Sequence, residues 1–205
     1  MPSAQLPEYY GVQRVVGPDG GPVRVSGESG SGSSLAVGGK AYRAAVTITR
    51  PSNTTAYAAG DVVGIADSGT PANAGSAIIA LPNIGSSGGY VLLQSIRLLI
   101  GNTSVPSGMA GFRLHLYTSP PTAVLDNAAF DLASSEVASY AGFCDLPTPQ
   151  DLGSTLFAQT DYCGIAIKLA SASTTLYAEL ETRGAYTPAS GTLYDLRVLT
   201  LEAGL

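Results

Sequence analysis

The chain has 205 residues, of which 45% are apolar and only 12% are charged, and its formal net charge is −5. A chain of this length can bury a substantial core, although its charged fraction is well below the roughly 25% of typical domains. It has only two lysines, Lys40 and Lys168, and no basic run. This argues against nucleic-acid binding, because contacts to phosphates need clustered Lys and Arg. No stretch approaches 18 consecutive apolar residues, so no membrane-spanning helix is expected.

Residues 1–40 predict an extended arm. They contain a Gly/Ser-rich stretch at 27–34 and few large apolar side chains, so the segment cannot bury enough surface alone to offset its ordering entropy. The arm is either a solvated linker or a segment that docks on another subunit, with the pair Tyr9-Tyr10 as its aromatic anchor. The chain begins without a basic or apolar leader region, so we expect no signal peptide and synthesis in the cytoplasm.

Period-two alternation begins after the arm and predicts β-strands. The first predicted strand has a half-buried face made of Tyr42, Ala44, Val46 and Ile48. Apolar runs at 61–65 and 77–81 predict two short strands. The run at 90–100 predicts a long strand that follows a Gly/Ser loop.

The second half of the chain predicts four more strands. The strand over 111–118 has two distinct faces, formed by Phe112, Leu114 and Leu116 and by Arg113, His115 and Tyr117. Residues 123–150 alternate poorly, and 133–140 fits one or two helical turns. The last three strands have faces formed by Cys163, Ile165, Ile167 and Leu169, by Leu176, Ala178 and Leu180, and by Tyr194, Leu196 and Val198. The phase reverses at Leu199 and Leu201, which predicts a bulge or a strand buried on both faces.

About eight strands separated by turn residues predict an all-β protein with the architecture of a β-sandwich. The long and irregular connections favour a jelly roll over a meander. The predicted organisation is therefore an extended N-terminal arm at 1–40 and a jelly-roll-like domain at 41–205.

No residue pattern predicts a catalytic set, a cofactor or a metal site. His115 lies in mid-strand, where a polar residue on a sheet face is expected. The loop 85–89 matches the pattern G-x-S-x-G, but that nucleophile turn needs a helix after it, whereas a strand is predicted there. Cys144 and Cys163 are expected to be buried free thiols, with a disulfide as the alternative.

The run from Gly64 to Thr70, centred on Asp67, resembles the active-site loop of aspartic proteases. In that family two such loops meet and two carboxylates share a proton, so a chain with one copy would have to dimerise. The alternative interpretation is a strand end followed by an Asx turn. We expect the chain not to be an enzyme and keep a protease that uses Asp67 as an alternative.

The stretch from Tyr42 to Gly64 resembles the opening of many virion proteins of tailed bacteriophages, of the capsid decoration or cement type. The element that carries the likeness reads RPSNTTAYAAGDVVG at 50–64. Two later segments, 111–121 and 191–199, also resemble strands of that family.

The resemblance implies a β-sandwich protein on the outer surface of the virion, often a trimer, that clamps neighbouring major capsid subunits. It offers no catalytic residue to carry over. We expect Tyr9 and Tyr10 to bind the partner, and Tyr57 and Asp61 to fix the turn before the second strand. The alternatives are a head or tail fibre base, or a glycan-binding module. The lack of Trp counts against glycan binding, since sugars stack on aromatic side chains.

Overall fold

The described part of the chain, residues 40–66 and 76–203 of a computed structural model, folds into nine β-strands. Numbered in chain order, the strands are β1 (Ala41–Thr49), β2 (Ile79–Leu81), β3 (Tyr90–Ile100), β4 (Phe112–Tyr117), β5 (Tyr140–Leu146), β6 (Gln150–Asp151), β7 (Leu156–Lys168), β8 (Leu176–Thr182) and β9 (Leu193–Ala203). They form a five-stranded sheet in the order β1-β9-β3-β7-β6 and a four-stranded sheet in the order β2-β8-β4-β5. This part of the chain contains no helix that could cross a membrane.

The strand order is that of a jelly roll. When the two-residue strand β6 is left aside, the remaining eight strands pair antiparallel from the outside inward: β1 with β9, β2 with β8, β3 with β7, and β4 with β5. Nested pairing of this kind over two sheets defines the fold. The predicted all-β sandwich is therefore confirmed. The predicted arm lies outside the described residues except for Lys40, and it stays a prediction.

The core lies between the sheets because alternate residues of each strand face inward. On β1 and β9 the paired inward residues are Ala44 with Val198, Val46 with Leu196, and Ile48 with Tyr194. Leu114, Leu116 and Leu180 join the same core from the four-stranded sheet and are fully buried. Burial of one such leucine contributes about 1.5–3 kcal/mol. The alternations predicted for β1, β8 and β9 are confirmed.

A β-bulge in β3 keeps both halves of this long strand in the core. The inward residues are Val91 and Leu93 before the bulge and Ile96, Leu98 and Ile100 after it. Without an extra residue the two sets would point to opposite faces. The register shifts at Gln94, against both β9 and β7. β9 itself has no bulge: Leu199 and Leu201 are half-buried on its outer side, while Thr200 is buried on the inner side.

Two parts of the predicted secondary structure are wrong. The run 61–65 is not a strand, because Asp61 and Val62 make only isolated bridges to Ala129 and Glu181. Residues 134–139 form consecutive turns instead of a helix. The strands β5 and β6, which follow these turns, had no counterpart in the sequence-based prediction.

A buried cation fixes the connections at one end of the sandwich. Arg50 follows β1 and has no exposed surface. Its Nε donates to the hydroxyl of Tyr57 at 2.7 Å, and its Nη2 donates to Asn53 Oδ1 at 2.8 Å and to Asp126 Oδ2 at 3.2 Å. A buried guanidinium is tolerated only when its charge and its N–H groups are paired, and these contacts pair it.

Asp126 connects three stretches of chain through this cluster. Its Oδ1 accepts hydrogen bonds from the Tyr57 hydroxyl at 2.5 Å and from the backbone N–H of Gly64 at 2.8 Å. Burial and the Asp126 carboxylate raise the pKa of Tyr57, so its hydroxyl stays protonated and donates. Asp61 accepts from the N–H of Ala58 at 2.6 Å and closes the turn there. The structural role predicted for Tyr57 and Asp61 thus agrees with their contacts.

We predict that Gly64→Ala destabilises the protein by about 2 kcal/mol or more. A Cβ at this position would lie 2.6 Å from the Cα of Asp126, so backbone would have to move against the Arg50 cluster, and overpacking of this kind costs about 1–3 kcal/mol. The free energy of unfolding in urea measures the effect.

Gly101→Ala is the matched control. A Cβ there meets Leu193 Cβ at 3.7 Å, which is ordinary contact, so its stability should stay within about 0.5 kcal/mol of the wild type. Equal stability of the two variants would contradict the prediction.

Candidate functional site

The outer face of the four-stranded sheet is covered by the chain's own connection between β4 and β5. The side chains on this face are polar yet buried: His115, Tyr117, Glu179 and Glu181 are each at most 5% exposed. The ring of Phe130, from the connection, stacks on His115 with the ring centroids 3.6 Å apart. The part of this face around His115 and Glu179 is therefore shielded from a partner, whereas Phe143 on the edge strand β5 stays exposed.

His115 is held between two polar partners under this cover. Its Nε2 lies 2.8 Å from Glu181 Oε2, and its Nδ1 lies 3.0 Å from the hydroxyl of Tyr140. Burial lowers the pKa of His115 despite the nearby carboxylate, so the ring is neutral at pH 7. Glu181 also accepts from Arg183 Nη1 at 2.6 Å. The sequence predicted a polar residue on a sheet face, and the contacts add an acidic partner that it did not reveal.

Glu179 is the unusual group of this face. Its Oε2 accepts from the hydroxyl of Tyr117 at 3.1 Å, while its Oε1 is buried without a hydrogen-bond partner. Burial, opposed by the bond from Tyr117, raises its pKa to about 6. An unpartnered buried carboxylate oxygen costs free energy when the group is ionised, so this part of the sheet is most stable with Glu179 protonated.

The outer face of the five-stranded sheet has the opposite character, because three arginines stand on three adjacent strands. Arg97 of β3 lies directly opposite Arg197 of β9, and Arg43 of β1 lies opposite Leu199 of β9. All three arginines are exposed. They line a shallow pocket, and we name its lining the arginine face: Arg43, Ser95, Arg97, Arg197, Val198 and Leu199.

The charges of the arginine face are only partly compensated within the protein. Arg197 pairs with Asp195, with Nη2 and Oδ2 2.6 Å apart. None of the five ion pairs found in residues 40–66 and 76–203 involves Arg43 or Arg97. Like charges directly opposite each other in a sheet are destabilising, so the pairing of Arg97 with Arg197 lowers the stability of the sheet. The exposed side chain of Leu193, at 49%, adds apolar surface to the same side of β9.

Most of the functional residues predicted from the sequence cannot be placed. Tyr9, Tyr10 and Asp67 lie outside the described residues. The loop 85–89 is followed by β3, as predicted, and not by a helix. Within it the Ser86 hydroxyl donates to a carboxylate oxygen of Glu202. In the described part of the chain no group of three or more His, Cys, Asp or Glu side chains is arranged to hold a metal ion.

The arginine face was not predicted from the sequence. Arg43, Arg97 and Arg197 were not among the predicted functional residues. Each arginine lies on the outward side of its strand, but only the pairing of β1, β9 and β3 brings the three side chains together. The one indication in the sequence was that three of the chain's few cationic residues lie at outward positions of strands.

Neither a known protein family nor a curated protein matches the sequence. Among solved structures, the chain is similar to a chain from the full particle of Israeli acute paralysis virus heated to 63 degrees, with 15% sequence identity and a TM-score of 0.28. The alignment covers 100% of this chain and 93% of that chain. A TM-score this low shows no shared fold or function.

We predict that Glu179→Gln raises the free energy of unfolding above pH 6 and leaves it almost unchanged near pH 4.5. The folded pKa of Glu179, about 6, lies above its ordinary value of 4.5. The stability gained from its proton is therefore complete below pH 4.5 and is lost as the pH rises through 6. The gain of the variant over the wild type should reach about 2 kcal/mol, measured by urea unfolding between pH 4.5 and 7.5.

Glu136→Gln provides the control on the covering connection. Glu136 accepts a hydrogen bond from the N–H of Thr122, which lowers its pKa, so this variant should lose stability above pH 4.5. The titration of His115 is common to all three proteins and cancels in the comparison. Parallel pH profiles for Glu179→Gln and the wild type would show that Glu179 is not protonated preferentially in the fold.

Proposed function

We propose that the chain is a non-enzymatic virion protein of the capsid decoration type, which binds the outside of an assembled shell and stabilises contacts between major capsid subunits. The proposal rests on the difference between the two outer sheet faces. One face is covered by the chain's own residues, whereas the other exposes the arginine face. The resemblance of residues 42–64 to decoration proteins supports the same function.

The composition of the arginine face fits a docking surface. Arginine is enriched at protein interfaces, and a few such residues usually carry most of the binding free energy. The opposed pair Arg97 and Arg197 costs stability in the free protein. An acidic partner would remove that cost, because its carboxylates would separate the two positive charges. Bidentate pairing between guanidinium and carboxylate groups would also fix the orientation of the partner.

Charge identifies the kind of surface that the partner must offer. The whole chain has a net charge of −5, so the arginine face is a local reversal of its charge. We propose that its occupant is an acidic patch on the outer surface of the major capsid protein. Opposite charges of this kind set orientation and speed association more than they set affinity.

The protein would stabilise the shell through thermodynamic linkage between its binding and shell assembly. A protein that binds the assembled shell but not the free subunit stabilises the shell by mass action. Each copy can bind weakly, because many copies on one lattice act together and linked contacts raise the effective concentration. The arm at 1–40 would add a second contact for each copy, with Tyr9 and Tyr10 as its anchors.

We predict that the double variant Arg43→Gln/Arg97→Gln binds shells about tenfold more weakly than the wild type, or roughly 1.4 kcal/mol. The substitutions remove two exposed cations that no carboxylate pairs in the described residues, so the fold should be unaffected. Binding is measured by co-sedimentation with shells that lack the protein. The loss should shrink as salt rises, because screening weakens exposed charge pairs.

The control Arg113→Gln/Lys168→Gln also removes two positive charges, from β4 and from the end of β7. Arg113 makes two hydrogen bonds to Asp145 and stacks on Phe143, so the thermal midpoint of this control is measured beside its binding. The control should bind like the wild type. If both double variants bind equally, the arginine face is not the contact. If the wild type itself does not bind shells, the decoration function is wrong.

The arm is tested in the full chain by Tyr9→Ser/Tyr10→Ser. We expect this variant to bind shells several-fold more weakly while its thermal midpoint stays unchanged, because the two rings would contact the partner and not the jelly roll. If binding is unchanged, the arm is a solvated linker and does not dock on another subunit. Light scattering of the free protein measures whether it is the trimer that the resemblance implies.

A further inference from the structure

The only two cysteines of the chain lie on different sheets and meet at one edge of the sandwich. Cys144 is on β5, the edge strand of the four-stranded sheet, and Cys163 is on β7 of the five-stranded sheet. Their Sγ atoms are 2.8 Å apart, and both thiols are free. Cys144 is 6% exposed and Cys163 is half-buried, so Cys163 is the more accessible of the two residues.

The backbone of both strands is irregular beside the two thiols. In β5 the register against β4 shifts between Tyr140 and Gly142, and Gly142 has a φ of 111°. In β7 the residues on either side of Cys163, Tyr162 and Gly164, have φ values of 59° and 69°. Bulges of this kind re-aim side chains, and a non-glycine residue at positive φ is strained. Two independent distortions thus accompany the meeting of the sulfur atoms.

At this edge of the sandwich β5 of one sheet contacts β7 of the other. The edge strand β6 pairs with β7 only at Leu156 and Phe157. In the described residues, β7 beyond Phe157 has β3 as its only partner strand. Thr160 Oγ1 donates to the carbonyl of Asp145 at 2.6 Å, which ties β7 to β5 beside the cysteines. A covalent link here would join the two sheets at this edge.

We infer that Cys144 and Cys163 form an intersheet disulfide when the protein meets a disulfide oxidant such as oxidised glutathione. The sulfur atoms of a disulfide lie about 2.0 Å apart, so the bond needs a shift of less than about 1 Å. The inference does not depend on the proposed function.

Cys163 is the thiol that reacts first with oxidised glutathione. The hydrogen bond from Cys144 lowers the pKa of Cys163 and the same contact raises that of Cys144, and Cys163 is the more exposed. The Cys163 thiolate attacks one sulfur of oxidised glutathione and forms a mixed disulfide while one glutathione thiolate leaves. Cys144 then loses its proton and attacks the Cys163 sulfur, which releases the second glutathione. Two thiols are oxidised, one glutathione disulfide is reduced, and the two protons end on glutathione.

The bond would constrain the segment between the cysteines, which contains β6 and the crossing from one sheet to the other. A disulfide stabilises mainly by restricting the unfolded chain. For a loop of this size in a domain of this length we expect the thermal midpoint to rise by about 5–10 °C.

The test uses the full chain, purified with dithiothreitol and then incubated with oxidised glutathione. Mass spectrometry after denaturation in iodoacetamide should find two labelled cysteines before oxidation and none after it, with a peptide that joins Cys144 to Cys163. The oxidised protein should melt about 5–10 °C higher, and dithiothreitol should reverse the shift.

Cys144→Ser and Cys163→Ser serve as controls. Neither variant should gain thermal stability on oxidation, and Cys144→Ser should acquire a glutathione adduct faster than Cys163→Ser because it keeps the more reactive thiol. The inference is overturned if both cysteines stay alkylatable in the oxidised wild type, if only glutathione adducts form, or if the bond forms without raising the thermal midpoint.

Discussion

The buried pairing of Arg50 with Asp126 is the constraint on which the arrangement of the two outer faces depends. A guanidinium without exposed surface can stay in the fold only if its partners are brought to it. Asp126 lies in the connection between β4 and β5, so its attachment to Arg50 fixes that connection at one end of the sandwich. The same connection carries Phe130, which stacks on His115. The ion pair therefore helps to hold the connection over the four-stranded sheet, whereas no connection among the described residues covers the arginine face.

The two faces use their charged residues in opposite ways. Under the cover, His115 and Glu179 have pKa values displaced by burial toward their neutral forms, which limits the charge that must be kept away from water. On the arginine face Arg43 and Arg97 are exposed, and no carboxylate among the described residues pairs with them. A chain with only 12% charged residues thus concentrates exposed positive charge on one sheet. This division is the physical basis of the proposed docking function.

The sequence predicted the fold class well because alternation marks strands that bury one face only. This was the case for β1 and β9. In β8 both faces are buried, and the alternation was visible because Glu179 and Glu181 on the outer face are polar. The strand β3 was predicted from its long apolar run. Alternation failed at β5, where Gly142 and the exposed Phe143 interrupt the pattern. The pattern also failed at 61–65, because these apolar residues are buried under a connecting segment and do not pair as a strand in a sheet. The arginine face and the cysteine pair depend on which strands are neighbours, and alternation within one strand contains no such information.

The outside-in pairing of the strands also determines when the fold can form. Among the nine described strands, β1 comes first along the chain and has β9, which comes last, as its partner. Until β9 has been synthesised, β1 has no partner and the five-stranded sheet lacks its second strand. Local contacts cannot replace this pairing, because most contacts in the domain join segments that are distant along the chain. Proteins with contacts of this kind fold slowly. The jelly roll can thus be completed only after β9 has been synthesised, and its unpaired strands are open to aggregation in the interval.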